Sequence, residues 1–411
     1  MKILISAYVC SPASSSEAEV GWQWVSRLSE YHKIVVITKK PTSYENILKL
    51  NSGNKNLRFA YYDLPKIVDF MRTGDLRHFI YYNLWQIGAY FHARRLIKRE
   101  KFDLVHHLIY VNTWQPTYMA FLGIPFIYGP LGENPKIPFS IVKTCGIKVT
   151  IREYLGRFIK SASRNISPLM RLIYRRAKRI IVINNDVYKK IRPEFKNKTT
   201  ICAAIGIDES NEFKIGPVNH QKKRFRALYV GRFVYIKAPD LALRAFLKFA
   251  ERRNDIKLVM IGGGKMQRDL EKIRQESTNA HKVRFIEWID RKKVMEYMKE
   301  CDVFLFPTFE GGGMVVLEAM SFGKPVICLD FGGPKDFVTK ECGIKVPVTN
   351  RSQIIIDLAD ALENIYNSQE FGMAMGIVAR KRVEEYYTWD KKIELMKNVY
   401  SAVIKSQLST R

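Results

Sequence analysis

Acidic side chains are scarce in this chain of 411 residues: 40 Asp and Glu stand against 68 Lys and Arg, and the net charge is +28. The excess is uneven, because residues 1–205 hold 33 basic and 13 acidic side chains, a net charge of +20. Such a surface favours a polyanionic partner, either a nucleic acid or an anionic membrane surface. The composition, 47% hydrophobic and 26% charged, excludes a disordered or collagen-like chain.

Paired cysteines and long apolar runs are also missing. The six cysteines form no CxxC pair and have no histidine at zinc-ligand spacing, so they indicate buried thiols in a reducing compartment. No apolar run approaches the roughly 20 residues of a membrane span. We interpret residues 2–6 as a first buried strand and not as part of a signal peptide.

Short apolar runs alternate with amphipathic segments in both halves of the chain. The predicted strands are continuously apolar and cover residues 3–6, 33–38, 58–61, 104–106, 126–128, 180–183, 227–230, 257–261, 284–286, 303–306 and 325–329. Four helices are predicted in the first half, beginning near Glu19, Leu76, Thr117 and Asp186. Strands and helices in this alternation predict parallel sheets covered on both faces. The pattern stops near residues 206–222, which predicts two α/β domains.

Two segments of the first half exceed a minimal α/β unit. Residues 76–99 are basic and aromatic, and residues 136–179 carry twelve Lys and Arg with one acid, Glu153. One interpretation is a set of solvated helices with ordinary core faces. The other is a basic, apolar surface for a membrane or a lipid-linked substrate.

A glycine-rich turn follows the predicted strand 303–306. Glu310 precedes three glycines, a helix is predicted from about Gly313, and Glu318 falls in its second turn. Free amides at a helix start bind phosphate, and ligands bind open α/β sheets at the carboxyl ends of strands. The two carboxylates suit the sugar and the ribose of a nucleotide sugar. The alternative is an ordinary helix N-terminus, at which a nearby acidic residue interacts favourably with the helix dipole.

A second basic turn follows the first strand of the second half. It contains Arg232 and Lys237 and leads to Pro239, a residue suited to the first turn of a helix. The two cations suit a diphosphate, Arg through its planar fork and Lys as a point charge. The alternative is a pair of surface charges on a turn.

Together these motifs resemble the family-4 retaining glycosyltransferases, the group 1 glycosyl transferases of the GT-B fold. The resemblance rests on Glu310 and Glu318 with seven residues between them, on Gly231-Arg232-Phe233 with Lys237, and on the glycines at 262–264 and 332–333. Looser matches in the first half lie at residues 16–22, 103–107 and 129–134.

The resemblance implies an α/β fold of two Rossmann-like domains whose parallel sheets face a central cleft. Residues 1–205 would form the basic, acceptor-side domain and residues 206–385 the donor-side domain. Residues 386–411 would form a final helix that crosses back to the first domain.

The resemblance also implies roles for individual residues. The catalytic candidates are Glu310, His106 and His107. The candidates for the donor diphosphate are Arg232, Lys237, Gly21, Gly312, Gly313 and Met314. Glu318 would bind the ribose, and Trp288 and Ile289 would lie near the base. Two positions depart from the family pattern, because Glu287 and Ala238 stand where glycine is usual.

The implied function is retaining, metal-independent sugar transfer from a UDP- or GDP-linked donor to a saccharide or lipid-linked acceptor of surface polysaccharide or lipopolysaccharide. We expect no cofactor and no metal, and a cytoplasmic protein held peripherally on the inner face of an anionic membrane. A GT-B epimerase or phosphorylase is the alternative enzyme, although a phosphorylase signature for a lysine-bound cofactor is missing. A basic nucleic-acid-binding protein is the other alternative. We expect no nucleic acid partner, because the sequence carries no motif of a known nucleic-acid-binding module.

Overall fold

The computed structural model describes residues 1–12, 16–40, 47, 51, 53–72, 75–143, 147–208 and 224–408. Thirteen β-strands occur in these ranges: β1 Lys2–Ala7, β2 Lys33–Thr38, β3 Leu57–Tyr61, β4 Leu104–Ile109, β5 Phe126–Leu131, β6 Ala177–Val182, β7 Thr199–Ile201, β8 Phe225–Val230, β9 Ile256–Ile261, β10 Val283–Ile286, β11 Val303–Phe306, β12 Val326–Leu329 and β13 Gly343–Val346.

The described α-helices alternate with these strands. They are α1 Ser16–Leu28, α2 Asp75–Arg99, α3 Phe139–Val142, α4 Ile147–Ile166, α5 Pro168–Arg176, α6 Asn185–Lys190, α7 Pro239–Phe249, α8 Gln267–Gln275, α9 Arg291–Glu300, α10 Met314–Ser321, α11 Pro334–Phe337, α12 Arg351–Asn367, α13 Gln369–Tyr386 and α14 Trp389–Leu408. Short 3-10 segments include Lys66–Arg72, Tyr118–Phe121 and Tyr235–Lys237.

The strands form two sheets in which every pairing is parallel. The first sheet has the order β3-β2-β1-β4-β5-β6-β7, and the second has the order β10-β9-β8-β11-β12-β13. Each central strand is almost wholly buried, as expected of a parallel sheet with helices on both faces. The strand order reverses between β1 and β4 in the first sheet and between β8 and β11 in the second. Ligands bind open α/β sheets at such reversals, so these two points position any site.

The predicted fold class of two Rossmann-like α/β domains is confirmed. All eleven predicted strands coincide with observed ones to within three residues at each end. Two short strands, β7 and β13, were not predicted. The helix expected from Thr117 is a single 3-10 turn, Tyr118–Phe121, capped by the Thr117 side chain. The polar segment predicted to separate the domains lies mostly in residues 209–223, outside the described residues.

Residue contacts divide the chain into two compact units. Unit 1 holds residues 1–133, 156–204 and 392–411, and unit 2 holds residues 134–155 and 205–391. This division differs from the predicted boundary for residues 134–155, which were expected in the first domain. Ser140 Oγ donates a hydrogen bond to the carbonyl of Thr349, and Asn134 accepts one from Gly311. These bonds attach the segment to unit 2.

Each unit has its own apolar core. In unit 1 the core is rich in aromatic rings, and Tyr81, Trp85 and Tyr128 are completely enclosed. In unit 2 the enclosed rings include Phe233, Phe246 and Phe304. Among the described helices, none combines the length and the apolar character needed to cross a membrane.

Candidate functional site

The clearest constellation lies in unit 2, where the loops after β8 and β11 meet at the reversal of strand order. Lys237 Nζ lies 2.9 and 3.0 Å from the two carboxylate oxygens of Glu310. Both side chains keep 19% of their surface exposed. The backbone links the same loops, because the Phe309 amide donates to the Ile236 carbonyl over 2.7 Å. A cation and a carboxylate therefore stand paired and accessible at the carboxyl edge of the sheet.

The glycine-rich turn leads into α10 as predicted. Gly313 occupies the N-cap position with φ of 131°, a conformation that favours glycine. Gly312 is exposed, and a Cβ built on it would meet nothing within 4 Å. The amides at the start of α10 have no partner inside the helix. The turn therefore offers open space in front of free N–H groups, which is the geometry that binds phosphate.

A second pair of glycines, Gly332 and Gly333, packs closely against this turn. A Cβ on Gly332 would lie 2.0 Å from the Glu310 carbonyl oxygen, and one on Gly333 would lie 2.1 Å from that of Gly312. The Gly333 amide also donates to the Glu310 carbonyl over 3.1 Å. These two glycines let the loop after β12 support the loop that carries Glu310.

The loop after β8 holds the other donor-binding candidates. Arg232 is exposed, and Gly231 packs beneath the loop, where a Cβ would lie 3.1 Å from the Phe306 ring and 3.3 Å from Lys237 Cδ. Ala238 has φ of 42° and ψ of 51°, the left-handed conformation, immediately before Pro239 begins α7. The glycine that the family usually has here would adopt this conformation without strain, whereas alanine does so at a cost.

Glu318 is 4% exposed, and its carboxylate lies 2.7 Å from the guanidinium of Arg291. Burial raises the pKa of Glu318, and the nearby Arg291 opposes that rise. Arg291 begins α9, and its side chain is 60% exposed. Sequence analysis missed this arginine, because no motif links it to Glu318 and only the fold brings the two together.

The base-proximal candidates lie on the loop after β10. Trp288 is 73% exposed and Ile289 is half-buried, while Asp290 caps α9 by accepting a hydrogen bond from the Lys293 amide. The same helix begins with Arg291, so this loop leads directly to the guanidinium beside Glu318. The exposed tryptophan ring presents a flat apolar face without a structural role in the core.

Asn134 is a second residue that sequence analysis missed. Its side-chain oxygen accepts a hydrogen bond of 3.0 Å from the Gly311 amide, next to Glu310. The preceding Glu133 belongs to unit 1, where it pairs with Arg164 and Lys190 at 3.1 Å each. The motif at residues 129–134 therefore combines a buried ion cluster with a contact to the glycine-rich turn.

His106 and His107 lie on β4 of unit 1 and are enclosed there. His106 is 0% exposed, its Nε2 donates to the Gly129 carbonyl over 2.6 Å, and its Nδ1 lies 2.7 Å from the Tyr400 hydroxyl. His107 is 1% exposed and faces Gln86 at 3.2 Å. Burial lowers the pKa of His106 to about 4 and that of His107 to about 3. Both rings are thus enclosed by contacts within unit 1, and the expected contact of either ring with a donor sugar stays a prediction.

Gly21 has a packing role within unit 1. It lies inside α1, where a Cβ would come within 2.9 Å of the Val9 carbonyl and 3.2 Å of the Ile109 side chain. The missing side chain lets α1 approach the loop after β1 and the end of β4. The contact with a donor phosphate expected at Gly21 stays a prediction.

Part of the chain is similar in sequence to known glycosyltransferases. The family model described as Glycosyl transferases group 1 matches residues 210–382. An uncharacterized glycosyltransferase of Methanocaldococcus jannaschii is 32% identical over 180 residues, which are 43% of this chain and 45% of the relative. The O-antigen chain mannosyltransferase C of Escherichia coli is 26% identical over 185 residues, 44% of this chain and 47% of the relative. This chain thus spans about half the length of these curated relatives.

Solved structures match over nearly the whole chain. HepE of Anabaena, in complex with UDP, has a TM-score of 0.65 at 14% identity and covers 98% of this chain and 100% of its own. WaaG, a glycosyltransferase involved in lipopolysaccharide biosynthesis, has a TM-score of 0.60 at 16% identity, covering 96% and 99%. At these identities the likeness shows the fold alone.

The two parallel sheets and the match of the whole chain to these structures define a protein of the GT-B fold. The family match over residues 210–382 includes Lys237, Glu310 and Glu318. The second half of the chain is thus similar to the group 1 glycosyltransferases.

Proposed function

We propose that this protein transfers a sugar from a nucleoside-diphosphate sugar to a saccharide or lipid-linked acceptor. One observation supports this proposal above the others. The Lys237–Glu310 pair and the open glycine turn before α10 lie together where the strand order of the second sheet reverses. A donor has an anionic diphosphate next to a sugar that becomes positive as its bond breaks, and this site holds a cation next to a carboxylate.

The diphosphate would bind between Lys237, Arg232 and the first amides of α10. Charge develops on this leaving group as the sugar departs, and fixed cations with a helix N-terminus stabilise it. These residues supply that stabilisation from the protein alone, so the proposed reaction needs no metal. Retention of configuration at the anomeric carbon is part of the proposal as a property of the family that the chain resembles.

Glu310 would face the sugar. Once the diphosphate attracts Lys237, the carboxylate of Glu310 becomes available to stabilise an oxocarbenium-like anomeric carbon. Glu318 would accept hydrogen bonds from the ribose hydroxyls, beside Arg291 and the exposed ring of Trp288. His106 and His107 have no part in this scheme, because both are enclosed within unit 1.

Two further observations support an acceptor on a cell-surface glycan or lipid. The relatives and neighbours include an O-antigen mannosyltransferase and a lipopolysaccharide glycosyltransferase. The net charge of +20 on residues 1–205 suits an anionic membrane. We therefore propose that the reaction takes place at the inner face of the cytoplasmic membrane, in surface polysaccharide or lipopolysaccharide synthesis.

Calorimetric titration with UDP and GDP, without acceptor, tests the donor site. Charge-assisted hydrogen bonds contribute about 1.5–3 kcal/mol each, so Arg232→Ala and Lys237→Ala should each weaken the preferred nucleotide about tenfold or more. Lys248→Ala, an exposed lysine of α7, is the matched control and should bind normally. Unchanged affinity in both site variants would contradict the proposal. Loss of transfer activity in EDTA would contradict its metal-independent form.

A further inference from the structure

The longest helix of unit 1, α2, presents apolar side chains to solvent in a regular stripe. Ile80, Leu84, Ile87 and Phe91 are 39%, 40%, 39% and 54% exposed. Their spacing of four, three and four residues places all of them on one face of the helix. We call these four residues the α2 stripe.

The α2 stripe is not the core-facing side of this helix. Tyr81, Trp85 and Ala89, at intervening positions, are completely buried in the unit 1 core. The Trp85 indole also donates a hydrogen bond to the Tyr62 carbonyl over 2.9 Å, which fixes the helix in its rotation. Unit 1 therefore covers one apolar face of α2 and leaves a second one outside. A helix that is apolar on both faces needs an apolar environment on each.

Apart from Asp75, its first residue, every charged residue of α2 is a base. Arg77 precedes it, Arg94, Arg95 and Lys98 follow it, and all four are exposed. Residues 76–99 contain no Asp or Glu. The next acid, Glu100, pairs with Lys2 at 2.6 Å and with Arg58. The outward face of α2 is thus an apolar stripe flanked by cations.

A second helix, α4, has the same chemistry. In the part of α4 that belongs to unit 1, residues 156–166, Phe158 and Ile159 are 72% and 49% exposed. This part of the helix holds no Asp or Glu. Trp114 contacts both helices within unit 1. Its ring stacks on Phe79 of α2 at 5.6 Å, and Lys160 of α4 lies 5.8 Å from its centre.

The 3-10 segment Lys66–Arg72 adds a third exposed apolar group next to α2. Ile67 is 82% and Phe70 64% exposed. The guanidinium of Arg72 lies 5.5 Å from the ring of Tyr81, a core residue of α2, so the segment is held against this helix.

We propose that the α2 stripe, with Phe158 and Ile159 of α4 and the exposed apolar residues of the segment Lys66–Arg72, enters the headgroup region of an anionic lipid bilayer. The proposal rests on the membrane-surface acceptor of the proposed function and names the surface that reaches it. Interfacial helices combine buried apolar side chains with lysines and arginines that bind anionic headgroups. A second copy of the chain would bring the same cations against themselves, and a nucleic acid offers no partner for four apolar side chains.

Co-sedimentation of the full chain with vesicles tests the surface. Vesicles of phosphatidylcholine with 30% phosphatidylglycerol should sediment the wild type, whereas pure phosphatidylcholine vesicles should bind it at least tenfold more weakly. Leu84→Glu with Phe91→Glu should lower binding to the anionic vesicles at least tenfold, because both changes put negative charge into the headgroup layer. The matched control is Phe371→Glu with Ile377→Glu, two exposed apolar residues of α13 in unit 2, and it should bind as the wild type does.

Titration of UDP or GDP into the same samples separates this surface from the proposed function. Normal nucleotide binding with reduced vesicle binding in the α2 variant supports the surface and shows that the variant is folded. If the wild type binds vesicles but neither nucleotide, the result would count against the proposed function. It would not count against membrane binding by the α2 surface. Equal binding of the wild type to neutral and anionic vesicles would contradict the proposed membrane contact. Unchanged vesicle binding by the α2 variant would contradict it as well. If the wild type is a dimer and the α2 variant is a monomer, the stripe forms a contact between two copies of the chain. That result would also contradict the proposed membrane contact.

Discussion

At the scale of single residues, Lys237 and Glu310 are paired with each other when no donor is bound. The pair is bidentate but partly exposed, so water screens it and it contributes little to stability. Such a pair is easily exchanged: an entering diphosphate offers Lys237 more negative charge than one carboxylate does. We therefore expect the two side chains to stay paired until the substrate separates them.

Glu310→Gln should reduce kcat by about 100- to 1000-fold with little change in nucleotide affinity, because the neutral amide cannot stabilise a developing positive charge. The measurement is steady-state transfer or slow donor hydrolysis with the nucleotide sugar that binds best. Glu287→Gln is the matched control, since Glu287 is an exposed acid on the loop after β10. A Glu310 variant with wild-type kcat would remove this residue from the reaction.

The Glu318–Arg291 pair predicts a pH dependence of nucleotide affinity. Burial raises the pKa of Glu318 and Arg291 counteracts it, so the carboxylate gains its proton at higher pH than an exposed glutamate does. A protonated carboxyl accepts fewer hydrogen bonds from ribose, so affinity should fall as the pH drops through this raised pKa. In Arg291→Ala the fall should begin at higher pH, and in Glu318→Gln it should disappear. Calorimetry at pH 7.5, 6.5 and 5.5 measures it, and parallel profiles in all three proteins would exclude Glu318 from the ribose site.

At the scale of elements, the loop before α7 contains a strained junction. Ala238 adopts the left-handed conformation at the N-cap of α7, and its side chain makes no capping hydrogen bond there. The same loop holds Lys237 in place, since the Tyr229 hydroxyl donates to the Lys237 carbonyl over 3.1 Å. Strain at such positions accompanies functional loops and is sustained by the packing around them.

Ala238→Gly should stabilise the protein. The left-handed conformation costs an L-residue about 1–2 kcal/mol, and the freer unfolded state of glycine offsets about 0.4–1 kcal/mol of the gain. A net increase of about 0.5–1 kcal/mol in the free energy of unfolding is expected from urea titration. Ala245→Gly, in the right-handed interior of α7, should instead destabilise by about 1 kcal/mol or more. Destabilisation by both changes would show that Ala238 is not strained.

The sequence was most informative about elements that carry their own periodic signal. The apolar runs of the central strands and the glycine turn before α10 were predicted to within a few residues, because local pattern and tertiary burial agree there. β7 and β13 are short and half-polar, with burial patterns in which few residues are enclosed, so they carry no comparable signal. Arg291 and Asn134 join the site only through tertiary contacts, and the two histidines of β4 turned out to be enclosed for the same reason. A motif on a strand does not tell which neighbours will cover it.

At the scale of the whole molecule, the two units differ in the buried groups that make their stability depend on pH. Unit 1 encloses His106 and His107, and α14 contributes to that enclosure through Tyr400, whose hydroxyl lies 2.7 Å from His106. Residues 1–205 also carry most of the net positive charge. Repulsion among these bases opposes the folded state of unit 1 already at neutral pH.

Unit 1 should therefore open before unit 2 as the pH falls. A histidine has a pKa near 6.5 when unfolded, against about 4 and about 3 for the two folded ones, so unfolding takes up protons below about pH 6.5. The stability that the neutral rings contribute is complete above that pH and decreases by about 1.4 kcal/mol per pH unit for each ring as the pH falls toward the folded pKa.

Hydrogen exchange of peptides from β4 and β11, corrected for the chemical exchange rate, measures the opening of each unit. Between pH 7 and pH 5 the protection of β4 should fall at least tenfold more than that of β11, and His107→Gln should make the β4 dependence shallower. An equal loss of protection in β4 and β11 would mean that the buried histidines do not govern the acid response of unit 1.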